Sequence, residues 1–395
     1  MKILWLCSYP LYLLNDYFEK PLNYRKFHPA TWMYNLMTEV NKRNHELHVV
    51  TTCPYFSSDK IVKTGNVTFH ILTRGVPFIN KGFPDYLRID AHTNYWFLKH
   101  KIHKIIEKVA PDVVNAHGTE DLNALSTINI GIPSITWIQG FISDILASNP
   151  KNSFLVKQAK LEQKVFINTD NFISNCDYFD KKITSLNAKA KIHYLSYPIS
   201  SQAFDLPEAD PTADICFVGN IIKRKGVEDL IDATSIVKKI KNNIKVKIIG
   251  TQLSPEYEVF LNAKIDSLNL KDNIRFIGHL VDHLDVLKEV KASRVFVLPT
   301  HADTGPRSIA ESMALKIPVV SYKIDGVPWM LGQQNERGMT VELGNIDALA
   351  ESILSVLNSE ELSGYLTLNA FSFAKTYFHV EPVVDNLLNI YTKIL

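Results

Sequence analysis

Closely spaced cysteines are missing from this chain. Cys7, Cys53, Cys176 and Cys216 lie far apart in 395 residues, each in or beside an apolar run. A zinc site or a disulfide framework needs paired short spacings, so buried thiols in a reducing cytosol are expected instead. The 13 histidines never take the HExxH spacing of a helical zinc protease. Neither GxGxxG nor GxxxxGK[ST] occurs, which removes the main support for a dinucleotide or P-loop site. No apolar run approaches the roughly 20 residues that a spanning helix needs. The opening KILWLCSYPLYLL places a lysine ahead of an apolar run, as a secretory segment does. Ser8 and Pro10 interrupt it and no small-residue cleavage site follows, so Lys2 to Ser8 is expected to be a first buried strand.

What the chain does contain is a globular composition: 46% apolar and 21% charged residues. Its length favours two or three domains over one core. The net charge is only +2 but is unevenly divided. Residues 1 to 200 carry 23 Lys and Arg against 16 Asp and Glu, a surplus of +7, and the remainder carries 20 against 25, or −5. A basic first half suits peripheral docking on an anionic membrane or an anionic acceptor; solvated helix faces at 151 to 164 and 181 to 191 explain it equally well.

Short apolar runs alternate with amphipathic stretches from end to end. In the first half, strands are expected at 2 to 8, 46 to 52, 67 to 72, 112 to 116, 134 to 137, 171 to 174 and 191 to 195. Helices are expected near 30 to 43, 93 to 109, 119 to 129, 153 to 168 and 177 to 187. PISSQAFDLPEADP at 198 to 211 breaks the rhythm and is the expected linker. A second series follows, with strands at 214 to 218, 246 to 249, 274 to 277, 295 to 298 and 318 to 321, and helices near 226 to 240, 255 to 268, 282 to 291 and 306 to 315. The pattern predicts an α/β protein with two doubly wound, Rossmann-like domains facing a cleft. The expected divisions are 1–198 and 199–378, with 379–395 as a last helix that completes the second domain or crosses back to the first.

Two segments of the second half carry phosphate-binding devices. In FVGNIIKRKGVEDLIDA (217 to 233), Gly219 permits a close turn, Lys223, Arg224 and Lys225 supply cations, and Gly226 opens a helix whose first amides favour an anion. A solvated basic turn is the plain alternative. In RVFVLPTHADTGPRSIAESMALKIPVV (294 to 320), Pro306 suits a first helical turn, which places Thr304 or Gly305 near the N-cap, with Arg307 as a further cation. Glu311 is acceptor-only when ionised and suits a vicinal ribose diol, while Asp303 suits sugar hydroxyls. Ordinary charge pairing with a helix dipole is the alternative for both. In the first half, His117 follows a buried-looking strand and precedes Glu120 and Asp121, and Trp137, Gln139 and Gly140 close the next strand. Asn23, Tyr24, His28 and Trp32 are candidates for an acceptor pocket or for simple loop packing.

Taken in order, FVGNIIKRKG, VKIIG, NIRFIGHL, VFVLPTHADTGPRSIAESMALKIPVV and DGVPWML with GMTVELGN resemble a retaining family 4 glycosyltransferase of the GT-B fold, and DVVNAHGTEDLNAL and GIPSITWIQG extend the similarity into the first half. The resemblance implies transfer of a sugar from a nucleotide-diphosphate sugar to an acceptor hydroxyl, with retention at the anomeric carbon and without a metal; no DxD motif occurs. It assigns Asp303, in place of the usual Glu, and Glu311 to the donor sugar and ribose. Asn220 and Lys225 fall on the paired phosphate cations, with Asn220 replacing Arg. His117 falls on the histidine near the reacting sugar, Gln139 replaces another histidine, and Gly278, His279 and Leu280 fall near the base. Pro306 removes an amide from the loop that embraces the sugar and phosphates. The implied partners are a nucleotide-sugar donor and a carbohydrate or lipid-linked acceptor, with no nucleic acid, in polysaccharide, lipopolysaccharide or glycolipid synthesis. The implied location is cytoplasmic, with the inner membrane face as a docking surface. A nucleotide-sugar epimerase of the same architecture and a non-catalytic nucleotide-sugar-binding protein are the alternatives.

Overall fold

KILWL opens the chain with a run that a centrally paired parallel strand can bury on both faces. The computed structural model describes residues 1–22, 32–74, 93–119, 122–148, 150–252 and 254–395, and in it this run forms β1 (Lys2–Leu6), paired in parallel on both sides. The chain divides into two units. Unit 1 comprises Met1–Ser174, Phe179–Leu195 and Val384–Leu395, and unit 2 comprises Asn175–Tyr178 and Ser196–Val383. Asn23, Tyr24, His28, Glu120 and Asp121 lie outside the described residues.

The rest of unit 1 follows as α1 (Trp32–Lys42), β2 (Glu46–Cys53), β3 (Lys60–Thr64), β4 (Val67–Thr73), α2 (Trp96–Val109), β5 (Val113–His117), α3 (Leu122–Leu125), β6 (Ser134–Trp137), α4 (Ile142–Ser148), α5 (Ser153–Asn168), β7 (Asn171–Ser174), α6 (Asp177–Leu186, in unit 1 from Phe179 onward) and β8 (Lys191–Tyr194). The sheet order is β3-β4-β2-β1-β5-β6-β7-β8, parallel throughout except for the antiparallel edge pair β3 and β4. β3 was not expected. Its sequence, KIVKT, buries only Val62, as an edge strand with solvent on one side does. The helix expected over 119 to 129 is cut to α3, because the Ser126 and Thr127 hydroxyls turn back onto the carbonyls of Leu122 and Ala124.

Unit 2 contains α7 (Gln202–Asp205), β9 (Ala213–Val218), α8 (Val227–Ile240), β10 (Val246–Ile249), α9 (Pro255–Ser267), β11 (Ile274–Gly278), α10 (His283–Lys291), β12 (Ser293–Leu298), α11 (Arg307–Ala314), β13 (Val319–Tyr322), α12 (Val327–Leu331), β14 (Met339–Val341), α13 (Ile346–Asn358), α14 (Glu360–Tyr377) and most of the first turn of α15 (Val380–Ile394). Its six strands are all parallel, in the order β11-β10-β9-β12-β13-β14. Side-chain caps fix several helix starts: Ser254 accepts from Tyr257 N, Asp282 from Leu284 N, and Asn345 from Ala348 N. The stretch 198 to 211 is not a free tether over its whole length. Ile199 and Ala203 are buried in the unit 2 core, and the Ile199 amide donates to Phe378 O at 3.0 Å.

α15 is shared between the units in chain terms, its residues from Val384 onward belonging to unit 1. There the buried Tyr391 hydroxyl receives Trp5 Nε1 at 2.9 Å and Asn115 Nδ2 at 2.7 Å. This bond network gives the strand pair β1 and β5 a polar anchor inside an otherwise apolar core.

Candidate active site

In unit 2 the chemistry-bearing residues follow the carboxyl ends of β9 and β12, the edge where open parallel sheets hold ligands. After β9 the chain passes Gly219 and the exposed Asn220 and tightens into a single helical turn at Lys223–Lys225. Gly226 then opens α8 with φ +73°, and a Cβ there would stand 1.8 Å from the Pro299 carbonyl oxygen. Only glycine lets the turn after β9 press against the loop after β12.

That contact delivers Lys225 Nζ to Asp303 Oδ2, and the two form a salt bridge with both side chains mostly covered. Arg224 is also engaged, its guanidinium donating to the Ala302 carbonyl and its own carbonyl accepting from His301 N at 2.8 Å. Of the three cations expected at this turn, Lys223 and Arg224 are exposed and Lys225 is half-buried. Asp303 is held from the other side too: its amide donates to Asp325 Oδ2 at 2.9 Å and its Oδ1 accepts from Gly305 N at 3.4 Å. Gly326 keeps this loop close, since a Cβ there would stand 1.9 Å from the Thr304 carbonyl oxygen.

The N-cap of α11 is Pro306, not Thr304 or Gly305. The pyrrolidine ring fixes φ at −64° while ψ stays extended at 112°, so Pro306 is itself the half-helical residue and its carbonyl accepts from Ile309 N at 3.0 Å. Five residues on, Glu311 is only 5% exposed. Its Oε1 receives His283 Nε2 at 3.0 Å and Arg307 Nη2 at 3.5 Å. Burial pushes the carboxyl upward, but the His283 hydrogen bond, the His283 charge and the Arg307 charge together hold it below its ordinary value. His283 moves the other way: the bond it donates to Glu311 raises it against burial, with the Glu311 charge adding, Arg307 opposing and Asp282 adding.

Among the remaining expected residues, Gly219 packs on the Phe217 ring and on the Lys225 stem, where a Cβ would meet Lys225 Cδ at 4.0 Å. Gly278 ends β11 at φ +81° facing open space, His279 Nδ1 lies 3.2 Å from Thr251 Oγ1, and Leu280 is half-buried.

Unit 1 carries a separate cluster. β5 ends on His117, which is 3% exposed and packed among Trp5 at 5.2 Å, Trp137 at 5.5 Å and Trp32 at 5.8 Å between ring centroids. Among the described residues neither ring nitrogen has a hydrogen-bond partner, and burial alone drives the imidazole down to about 3. It is a neutral ring at physiological pH. Beside it, buried Glu162 on α5 accepts from Thr119 Oγ1 at 2.7 Å, Ile142 N at 3.0 Å and Ser143 N at 3.4 Å. It thereby ties the loop after β5 to the start of α4. Gln139 is exposed, and the Gly140 carbonyl accepts from Thr119 Oγ1 at 3.3 Å.

His283, Asp325 and Glu162 were not singled out from the sequence. Asp325 lies in the DGVPWML segment, where proximity to Gly326 is the available signal. His283 and Glu162 lie on helices whose periodicity shows only which face is apolar. Their partners come from other elements, 28 positions away for His283 and between 19 and 43 away for Glu162.

Two Rossmann-like parallel-sheet units define the fold as that of the GT-B glycosyltransferases. Residues 199–372 match the family Glycosyl transferases group 1. It is 21% identical over 382 residues to the N-acetyl-alpha-D-glucosaminyl L-malate synthase of Bacillus anthracis, covering 90% of this chain and 91% of that protein. It is 28% identical over 181 residues to the capsular polysaccharide biosynthesis glycosyltransferase CapM of Staphylococcus aureus, spanning about half of each, 46% in both cases. The solved structure of Anabaena HepE in complex with UDP and glucose superposes with a TM-score of 0.69 over 99% of both chains at 14% identity, a likeness of fold.

Proposed function

We propose that the protein transfers a sugar from a nucleotide-diphosphate sugar to the hydroxyl of a carbohydrate or lipid-linked acceptor, retaining configuration at the anomeric carbon and using no metal. The observation that carries this is the grouping, inside the matched segment, of a Lys225–Asp303 pair after β9 and β12 with a buried ionised carboxylate at Glu311. HepE, of similar fold, is solved with UDP and glucose, which supports the donor class. Relatives named for capsule and lipopolysaccharide synthesis support an acceptor in surface-polymer assembly.

In this scheme the bond between the anomeric carbon and the phosphate oxygen breaks with its electron pair, leaving negative charge on the diphosphate. Lys225 turns from Asp303 to that charge, with the amides at the start of α8 adding to it. The acceptor oxygen bonds to the anomeric carbon on the face the phosphate leaves, and the acceptor proton passes to the departing phosphate. Asp303, released from Lys225, accepts sugar hydroxyls, Glu311 accepts the ribose hydroxyls, and Arg307, Thr304 and Gly305 line the phosphate side. Asn220, Gly219, Gly278, His279 and Leu280 are assigned to the nucleotide. His117 is assigned to a sugar hydroxyl, which would satisfy a ring nitrogen that has no partner among the described residues. Epimerisation would need a competent base, and an imidazole held at about 3 is a weak one.

Incubating the protein with a panel of nucleotide sugars, with and without acceptors, tests the scheme. Transfer or slow donor hydrolysis that disappears in Glu311→Ala supports it. Reversible isomerisation of the donor, or no turnover of any donor, refutes it.

We also place the protein in the cytoplasm, docked on the inner membrane face. Among the described residues no helix is long and apolar enough to cross a membrane. Leu13, Tyr17, Tyr55 and Ile61 are exposed in unit 1, as are Lys20 and Lys63, a combination suited to an anionic interface. Binding to vesicles containing phosphatidylglycerol should fall steeply as salt rises. Absence of binding even at low salt would remove this assignment.

A further inference from the structure

Glu311 presents a difficulty for the ribose role. A carboxylate this deeply covered tends to take up a proton, and a protonated carboxyl would give one of its oxygens over to donating. The structure supplies a device against that outcome, and its principal part comes from a different helix.

His283 is the first residue of α10, immediately after the Asp282 N-cap, and its imidazole is half-exposed where Glu311 is buried. Its Nε2 meets Glu311 Oε1 at 3.0 Å, and Arg307 reaches the same oxygen at the longer distance of 3.5 Å. Both cationic partners bear on Oε1, while among the described residues Oε2 has no hydrogen bond. The carboxylate is thus fixed by one oxygen and presents the other.

We propose that His283 is the positioning residue for the donor ribose: it clamps Glu311 through Oε1 so that Oε2 faces the ribose hydroxyls, and its exposed ring edge borders the nucleoside. The proposal rests on the ribose role of Glu311 given above. The groups facing His283 are Glu311 and Arg307 from α11 and Asp282 from its own helix start; those facing Glu311 are His283 and Arg307. Arg307 alone is the poorer clamp because it approaches from the same helix at the limit of hydrogen-bond distance.

Loss of His283 should therefore act on ribose discrimination and act more strongly in acid. Without the imidazole, burial opposes ionisation of Glu311 with only Arg307 against it, so the carboxyl's proton affinity rises and the acceptor is lost as pH falls. His283→Gln can place an amide donor near the Nε2 position and should restore orientation near pH 8, but it supplies no positive charge in acid.

The test measures dissociation constants by calorimetry for the best-bound of UDP, GDP and ADP and for its 2′-deoxy counterpart. Wild type, His283→Ala, His283→Gln and Glu311→Gln are compared between about pH 5.5 and 8. Expected is a loss of about tenfold in ribose over deoxyribose preference in His283→Ala, the size of one hydrogen bond to a charged group. The loss should be larger at the acid end, with recovery in His283→Gln near pH 8. An NMR titration of the His283 ring should show its raised proton affinity returning to the ordinary histidine range in Glu311→Gln. If Glu311→Gln abolishes the preference while His283→Ala keeps it at every pH, the inference falls and the ribose role stands. If Glu311→Gln keeps the preference, or no diphosphate binds wild type, the ribose role itself falls and takes the inference with it.

Discussion

Each unit buries one carboxylate beside its candidate site, and the two behave in opposite ways. Glu162 is 4% exposed and Glu311 5%, so both lose nearly the same hydration. Glu162 has three close donors, the hydroxyl of Thr119 and two amides, yet burial outweighs them and the more distant charge of Lys182, and its carboxyl rises above the ordinary value. Glu311 has His283 and Arg307, and its carboxyl falls. At matched burial, the formal charge on the close partners therefore decides the sign. The difference sorts the two residues by task. Glu162 fastens one loop to the start of one helix, a job that either protonation state can do in part. Glu311 is supplied with cations on one oxygen, as an acceptor kept ionised requires.

The largest consequence concerns turnover. Replacing Glu311 by Gln removes the negative charge and turns one acceptor atom into a donor. If two ribose hydroxyls depend on it, kcat/KM should drop by about 100-fold, from bonds to a charged group at about 1.5 kcal/mol or more apiece. Glu162→Gln keeps an oxygen for Thr119 and Ile142 and changes only the atom facing the Ser143 amide at 3.4 Å, so it should remain within about threefold of wild type. Initial rates of the two variants with a shared donor and acceptor decide the matter. Equal losses, or a larger loss at Glu162, would erase the division of labour.

The sequence showed one half of this comparison better than the other. Strands such as VFVL and KILWL are legible because a parallel strand covered on both faces must be apolar at every position. Glu311 is legible because a carboxylate breaks the apolar face of a short helix that follows a turn-forming TGP. β3 was hidden because its alternation, with Lys60 and Lys63 flanking a single buried Val62, is that of an ordinary polar loop. The helices α13 and α14 were not expected, although IDALAESILSVLN has the helical period. His283 and Glu162 were hidden for a deeper reason. What makes each matter is a partner that the chain brings close only by packing one helix or loop on another, and neither spacing nor composition records that approach.

A subtler test follows from linkage between protonation and folding. Glu162 has a raised carboxyl in the folded protein, so the folded state holds its proton more tightly, and this contribution is full below the unfolded value, near 4.5, and lost as pH climbs through the folded value. Glu311 is lowered, so its contribution is present above 4.5 and is lost as pH falls through the folded value. Melting curves taken from about pH 3.5 to 8 should therefore diverge in opposite senses for the two glutamine variants. Relative to wild type, Glu162→Gln should gain Tm as pH rises, because it no longer has a buried carboxyl to ionise. Glu311→Gln should be at its greatest disadvantage near neutrality and close on wild type in acid, because only the wild type has an ion pair left to lose there. Each trend should amount to a few degrees at most, given single groups and partial compensation by Lys182 and Arg307. Parallel trends would mean that burial dominates at both positions, and the charge-based distinction between the two carboxylates would fail.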